Sequence, residues 1–374
     1  MTRSPLDIVF IGLSITSSWG NGHATTYRGL VRELARLGHR VTFLERDVPW
    51  YRDNRDQPRP RGCRTHLYER LDELVDAHGH RVRHADLVVV GSYVPDGVAV
   101  GRWVQETARG ITAFYDIDTP VTLAKLRRGD FEYLTPELIP GYDVYLSFTG
   151  GPTLHHLERD LGSPAARALY CSVDPELYRP QETPRTWDLG YLGTYSADRQ
   201  PPLDRLMLEA ARAWPEGRFA VVGPQYPEDI AWPKNVDRLD HLAPPEHPAF
   251  YNAQRFTLNV TRADMIQAGY SPSVRLFEAA ACGVPVISDV WPGLETFFTP
   301  DEEILFARSH RDTLRALRTL NEDERRAIGE RARARVLREH TAAHRAQSLI
   351  GYVREARERK ARRHGHPRHG GLWG

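Results

Sequence analysis

The sequence predicts an α/β protein built from two doubly wound halves, each with its own parallel sheet. Three observations point there. Short apolar runs alternate with segments of helical period along most of the chain. The alternation pauses at a polar, proline-rich stretch from Val173 to Arg185 and then restarts. Each half opens with the same succession of strand, glycine-bearing loop and helix. At 374 residues the chain also exceeds what one ordinary hydrophobic core supports.

In the first half, Ile8–Ile11 is a continuous apolar run, as expected for a strand buried on both faces. A Gly/Ser-rich loop runs from Gly12 to Gly22. Tyr27, Leu30, Leu34 and Leu37 then recur at helical spacing, and Gly38 closes that helix. Val41–Leu44 reads as the next strand. Residues 86–91 (DLVVVG) and 111–115 (ITAFY) add two more, with a helical segment over about residues 97–109 between them. Asp143–Phe148 is a further strand that ends near Gly150-Gly151.

In the second half, residues 187–193 (WDLGYLG) restart the rhythm as strand and loop. Leu203–Ala213 reads as a helix, residues 219–223 (FAVVG) as a strand, and Phe256–Val260 as another. Residues 269–289, GYSPSVRLFEAAACGVPVISD, carry the densest signal in the chain. Ser271-Pro272 predicts a helix start, because serine can cap and proline has no N–H to leave unpaired. Gly283 ends that helix and Val284–Ile287 continues as a strand, with Glu303–Phe306 following. After Ser309 the chain is helical, with Leu314, Leu317 and Leu320 on one face, and residues 354–369 are dense in Arg, Lys and His.

Composition narrows the function classes. Hydrophobic content of 41% with 26% charged residues describes a folded globular chain. A net charge of +1 gives no general field for a polyanion, so nucleic acid is not an expected partner, and the basic end reads as a solvated terminus. No apolar run approaches the roughly 18 residues of a membrane span. The N-terminus lacks a secretory apolar region. Cys63, Cys171 and Cys282 have neither disulfide nor zinc spacing. A reducing cytoplasm is the expected setting.

Arg275 and Glu278, three residues apart, share one helical face. A helix N-terminus attracts phosphate and a fixed carboxylate holds ribose hydroxyls, so the pair reads as a nucleotide clamp. The alternative, a surface ion pair, is disfavoured by the apolar neighbours Phe277 and Ala279–Ala281. The loop Gly193-Thr194-Tyr195-Ser196-Ala197-Asp198-Arg199 offers N–H groups, hydroxyls and one arginine to a diphosphate. In the first half, Gly20-Asn21-Gly22-His23 closes the opening loop. It lacks the dinucleotide spacing, with no acidic residue found at the ribose position, and its glycines allow a ligand close approach. His23 would stand at the cleft and accept a proton from an acceptor hydroxyl or amine. Asp116-Ile117-Asp118 reads as an acceptor-contacting or structural pair rather than a metal site. Trp19, Trp50, Tyr51 and Tyr93 fall on or near the same loops, where they would line an acceptor pocket or simply pack.

Taken together these segments resemble a GT-B glycosyltransferase of the group 1 type, in the spore-maturation-protein CgeB-like branch. The resemblance rests on the Gly-Asn-Gly-His loop with TTYRGLVRELARLGHRVTFLERD after it, on FYDIDTP, LSFTGG and YCSVDPELYRP, and on DLGYLGTYSADR and SPSVRLFEAAACGVPVISD. It implies two facing Rossmann-like domains, residues 1–178 for the acceptor and 179–340 for the nucleotide-sugar donor, with the active site in the cleft. It further implies a helix over about residues 341–360 crossing back to the first domain, leaving 361–374 as a disordered basic tail. By position Glu278 would hold the ribose, Ser273, Val274 and Arg275 the diphosphate, and Gly193, Thr194 and Arg199 the phosphate loop. Neither metal nor cofactor is implied.

One position departs from the pattern of retaining members, which place a second glutamate eight residues before the ribose-binding one. Tyr270 stands there, beside the donor. The expectation is therefore an inverting transfer, from UDP as the commonest nucleotide of the fold. His23, or else Asp116 or Asp118, activates the acceptor, with Gly20, Asn21, Gly22, Trp19 and Tyr93 around it. A non-catalytic sugar-nucleotide-binding protein and a same-fold epimerase are the alternatives.

Overall fold

The computed structural model describes residues 4–20 and 22–364. Its first sheet has seven parallel strands: β1 (Asp7–Gly12), β2 (Arg40–Arg46), β3 (Arg64–Tyr68), β4 (Leu87–Gly91), β5 (Ile111–Asp116), β6 (Val144–Ser147) and β7 (Ala166–Ala168). Their spatial order is β3-β2-β1-β4-β5-β6-β7. The second sheet comprises β8 (Trp187–Leu192), β9 (Phe219–Val222), β10 (Val236–Leu239), β11 (Gln254–Asn259), β12 (Val286–Ser288) and β13 (Leu305–Phe306), ordered β10-β9-β8-β11-β12-β13. Every strand pair in both sheets is parallel.

The order reverses between β1 and β4 in one sheet and between β8 and β11 in the other. Such switch points open a crevice at the carboxyl ends of the strands, which is where ligands bind in open α/β sheets. The central strands are apolar throughout because both faces are covered: Ile8–Ile11, Leu87–Val90 and Phe219–Val222 are at most 1% exposed.

The described residues of the first half hold six α-helices: α1 (His23–Arg36), α2 (Pro49–Arg52), α3 (Leu71–His84), α4 (Gly97–Thr107), α5 (Thr119–Arg127) and α6 (Pro152–Arg159). In the second half α7 (Gln200–Leu203) runs through a π turn (Asp204–Leu208) into α8 (Glu209–Ala213). Next come α9 (His247–Asn252), α10 (Ala263–Ala268), α11 (Val274–Ala281), α12 (His310–Thr319), α13 (Glu322–Glu339) and α14 (Ala342–His364). No helix among the described residues is long and apolar enough to cross a membrane.

The chain crosses between the halves twice, and the two crossings lie side by side, Val173 bridging to Thr341. α14 then lies against α1: a Cβ added at Gly29 would come within 3.0 Å of the Ala342 methyl. Ala346, Leu349, Val353 and Ala356, at helical spacing, are buried, and Lys360 Nζ donates to the Gly110 carbonyl at 2.9 Å. The helix continues to His364, so residues 361–364, expected as disordered tail, are its last turn; the rest of the basic segment lies outside the described residues.

Candidate functional site

The cleft is built where the two switch points face each other. β8 ends at Leu192 and Gly193 follows. A Cβ there would lie 2.6 Å from Tyr191 Oη and 2.9 Å from Arg275 Nη2, so a larger residue would displace both groups. On the other side of the switch point β11 ends at Asn259. Arg275 bridges the gap: Nε donates to the Leu192 carbonyl at 2.5 Å and Nη1 to Asn259 Oδ1 at 2.8 Å, with the guanidinium 4.8 Å from the Tyr191 ring centre. It is 8% exposed and, among the described residues, makes no ion pair. Its positive charge is thus balanced by backbone and amide oxygens, not by a carboxylate in an ion pair.

α11 starts later than the Ser-Pro pair suggests. Its N-cap is Ser273, whose hydroxyl donates to Asn259 Oδ1 at 2.8 Å instead of capping. Ser271 is drawn to the other half, its Oγ lying 2.9 Å from Thr149 Oγ1. The first turn of α11 therefore has no side-chain cap, and Ser273, Val274 and Arg275 line the cleft. One turn on, Glu278 is 4% exposed and accepts from Tyr251 Oη at 3.0 Å. Arg275 and Glu278 do not pair with each other, which removes the surface ion-pair reading. They line a cavity of about 210 Å³ with Gly193, Thr194, Ser273 and Val274, closed from the first half by Gly20, Gly22 and Thr25.

The first-half loop is held rigidly from behind. Glu45, fully buried at the end of β2, accepts from Ser14 Oγ, Ile15 N, Thr16 N and Thr16 Oγ1 at 2.6–3.1 Å. An acidic residue therefore does stand at the second strand's end, contrary to the sequence reading. The loop uses its carboxylate, so a dinucleotide ribose finds none free. Asp56 pins Ser18 through backbone and hydroxyl, and Arg28 grips the same carboxylate at 2.8 and 2.9 Å. Trp19 is thereby presented across the cleft to His241, ring centres 4.6 Å apart. His23 is the first residue of α1, edge-on to Phe148 at 6.0 Å, and burial pulls its imidazole down to about 4. It is neutral at physiological pH. Asn21 lies outside the described residues.

Several expected site residues have other work. Asp116 is fully buried: Oδ2 accepts from Tyr145 Oη at 2.5 Å, and Oδ1 accepts from Thr122 Oγ1 at 2.8 Å and from the Asp118 N–H at 3.2 Å. Burial raises it to about 6. Both carboxylate oxygens are thus engaged by internal donors. Asp118 Oδ2 accepts from Tyr93 Oη at 3.0 Å and from Arg262 Nη1, in the second half, at 3.1 Å. That group, Tyr93 included, joins the halves. Arg199 turns back on its own loop, donating to the Thr194 carbonyl at 2.6 Å.

Tyr270 is also a joint. Its φ is +48°, its N–H donates to the Pro292 carbonyl at 2.7 Å, and its carbonyl accepts from Gly150 at 2.9 Å. The ring fills a slot between Gly151 and Gly293, where an added Cβ would come within 2.4 and 2.5 Å of it. Trp50 is 56% exposed at the rim, beside Gly20. Among the described residues no group of three or more His, Cys, Asp or Glu side chains gathers as metal ligands.

Residues 199–351 match the family model described as glycosyl transferase-like. That span includes α11 and excludes the first-half loop. The whole fold recurs in sucrose-phosphate synthase from Thermosynechococcus elongatus, at 14% identity over 94% of this chain and 100% of that one, TM-score 0.66. It recurs in Anabaena Alr3699/HepE in complex with UDP and glucose, at 13% identity over 94% and 100%, TM-score 0.70. An alpha-glucosyltransferase in complex with UDP-glucose and DNA containing an abasic site is similar at 12% identity over 94% and 100%, TM-score 0.68. No curated protein matches the sequence. The chain has the GT-B fold of glycosyltransferases, and its second half carries a glycosyltransferase-like domain.

Proposed function

We propose that this protein transfers a sugar from a nucleotide-diphosphate sugar to an acceptor hydroxyl or amine, without a metal, with UDP as the nucleotide. The observation that carries the reading is the separation of Arg275 from Glu278. Two enclosed, oppositely charged groups on one helix are each held by other partners, facing one cavity at the second sheet's switch point. That is a site for one ligand with an anionic part and a hydroxyl-bearing part. The structural neighbours solved with UDP or UDP-glucose support the choice of nucleotide.

In the proposed reaction Arg275 and the N–H groups opening α11 take the diphosphate, while Gly193 lets it approach the backbone. These fixed dipoles and the guanidinium stabilise the charge that develops on the leaving nucleotide diphosphate. Glu278 accepts hydrogen bonds from the ribose hydroxyls. His23, neutral and at the facing loop, takes the acceptor's proton; a dianionic donor arriving nearby raises its basicity from the low resting value. Trp19 against His241 helps exclude water from the donor. Tyr270 is assigned to the joint between the halves and not to the donor, so its being a tyrosine does not argue against turnover. The DNA bound by one neighbour belongs to that protein, and a net charge of +1 gives no field for a polyanion here. The CgeB-like assignment and a cytoplasmic setting belong to the same reading.

The test is release of nucleoside diphosphate from a panel of nucleotide sugars, with and without EDTA, by wild type and His23→Gln. Wild type is expected to turn over at least one donor in the presence of EDTA, and His23→Gln to bind it equally but lose about 100-fold in kcat. Tight nucleotide binding with no turnover of any donor would replace the enzyme by a binding protein. Unchanged kcat in His23→Gln would remove His23 from its role.

A further inference from the structure

Glu278 does not stand alone behind the cavity. A phenol from another segment meets it. Tyr251, on α9, is fully buried and donates to Glu278 Oε2 at 3.0 Å. Tyr178, at the first crossing between the halves, is 2% exposed, and its ring centre lies 6.4 Å from that of Tyr251. Its Oη lies 3.3 Å from His247 Nδ1, and His247 Nε2 lies 3.1 Å from the Leu242 carbonyl, so the Tyr178 hydroxyl is engaged by His247. Burial and the Glu278 charge hold the Tyr251 phenol well above its ordinary range, so it remains a donor at any working pH.

We infer that Tyr251 is a positioning residue for donor binding: by donating to Glu278 from behind, it orients the carboxylate so that the remaining lone pairs face the cavity and accept two vicinal hydroxyls. The chemistry fits by count. An ionised carboxylate offers about four acceptor sites, and one phenol leaves about three. A fixed, correctly aimed acceptor binds a diol better than one free to rotate, because the ordering is done before the ligand arrives. Tyr178, held by His247, backs the Tyr251 ring from the crossing segment. A packing role alone accounts for a buried ring; it does not account for its hydroxyl meeting the carboxylate that lines the cavity.

The inference rests on the assignment of Glu278 to the ribose, and the test separates the two. Binding of UDP and of pyrophosphate is measured by calorimetry for wild type, Tyr251→Phe, Glu278→Gln and Tyr251→Phe/Glu278→Gln. Tyr251→Phe keeps the ring and is expected to weaken UDP about three- to tenfold while leaving pyrophosphate unchanged. Glu278→Gln should weaken UDP at least about tenfold, and adding Tyr251→Phe to it should change little further. Loss of UDP and pyrophosphate to the same extent, or an equal effect of Tyr251→Phe with and without the glutamate, would make Tyr251 core packing only. No effect of Glu278→Gln on UDP would overturn the ribose assignment itself. If Tyr251→Phe does not fold alone, the doubly substituted protein is compared with Glu278→Gln, and a further loss of UDP binding in it would make Tyr251 core packing only.

Discussion

Replacing Tyr270 by glutamate would supply the carboxylate that paired-glutamate enzymes carry eight residues before the ribose ligand, and the structure predicts harm instead of gain. The phenol ring lies between two glycines, one from each half, at distances that leave no room for a Cβ on either side. Glutamate cannot fill a flat aromatic slot. Losing a partly buried aromatic ring costs about 2–4 kcal/mol, somewhat under the range for a fully buried one. A carboxylate placed in the slot adds desolvation of about 1–3 kcal/mol unless it swings into water. The backbone strain at φ +48° is common to both residues and cancels. The expected loss of about 3–7 kcal/mol would lower the thermal midpoint by roughly 6–28 °C, taking about 2–4 °C per kcal/mol for a domain of this size. The assay is thermal unfolding of Tyr270→Glu beside Tyr270→Phe, with donor turnover measured at a temperature where both are folded. Tyr270→Phe should be near wild type in both. A Tyr270→Glu protein as stable as wild type, or turning over faster, would refute the assignment of this residue to the joint.

Three further outcomes follow from the same geometry. Gly193→Ala places a methyl 2.6 Å from Tyr191 Oη and 2.9 Å from Arg275 Nη2, so donor affinity should fall at least about tenfold by calorimetry, at an overpacking cost of about 1–3 kcal/mol in stability. Arg262→Met leaves the 6%-exposed Asp118 carboxylate without its cation and should cost about 2–3 kcal/mol, since Arg262 itself is partly exposed; Asp118→Asn in the same protein should recover most of it, and a strictly additive pair would be the contrary result. His340, stacked on Phe277 with ring centres 4.6 Å apart, is pulled down to about 3 by burial and the neighbouring Arg345. Because the unfolded chain protonates that imidazole below about pH 6.5 and the folded chain does not, its contribution is complete above pH 6.5 and lost as pH falls toward 3. Relative to His340→Phe, wild type should lose about 1.4 kcal/mol per pH unit between pH 6 and pH 4 in denaturant titrations, and a constant difference would contradict it.

The elements that could be read from the chain are those whose environment is uniform. Ile8–Ile11, Leu87–Val90 and Phe219–Val222 are apolar at every position because both faces of a central parallel strand are covered. The strands without an apolar signature, β3, β7 and β10, are all at sheet edges, where polar residues such as Arg64, Arg167 and Asp237 meet solvent and the apolar run disappears. α11 begins at Val274, later than Ser271-Pro272, for a related reason: local capping chemistry favours the earlier start, but Thr149 from the other half meets the Ser271 hydroxyl. Arg199 reads as a phosphate ligand in a glycine loop, and the structure adds a hydrogen bond from its Nη2 to that loop's own Thr194 carbonyl. The aspartates of Asp116-Ile117-Asp118 show no sequence mark distinguishing a cleft residue from a joint.

By itself the sequence determined the order of strands and helices, the two halves, and the presence of Arg275 and Glu278 on one face of a helix ahead of a buried strand. These follow from periodicity and spacing, which are local. Only the tertiary structure decided what each charged group meets. Arg275 reaches Leu192 and Asn259, Glu278 reaches Tyr251, Glu45 holds the opening loop, and Tyr270 wedges the halves together. Each of those partners is distant in the chain, and a side chain's role is set by the field and space around it, which spacing along the chain does not encode.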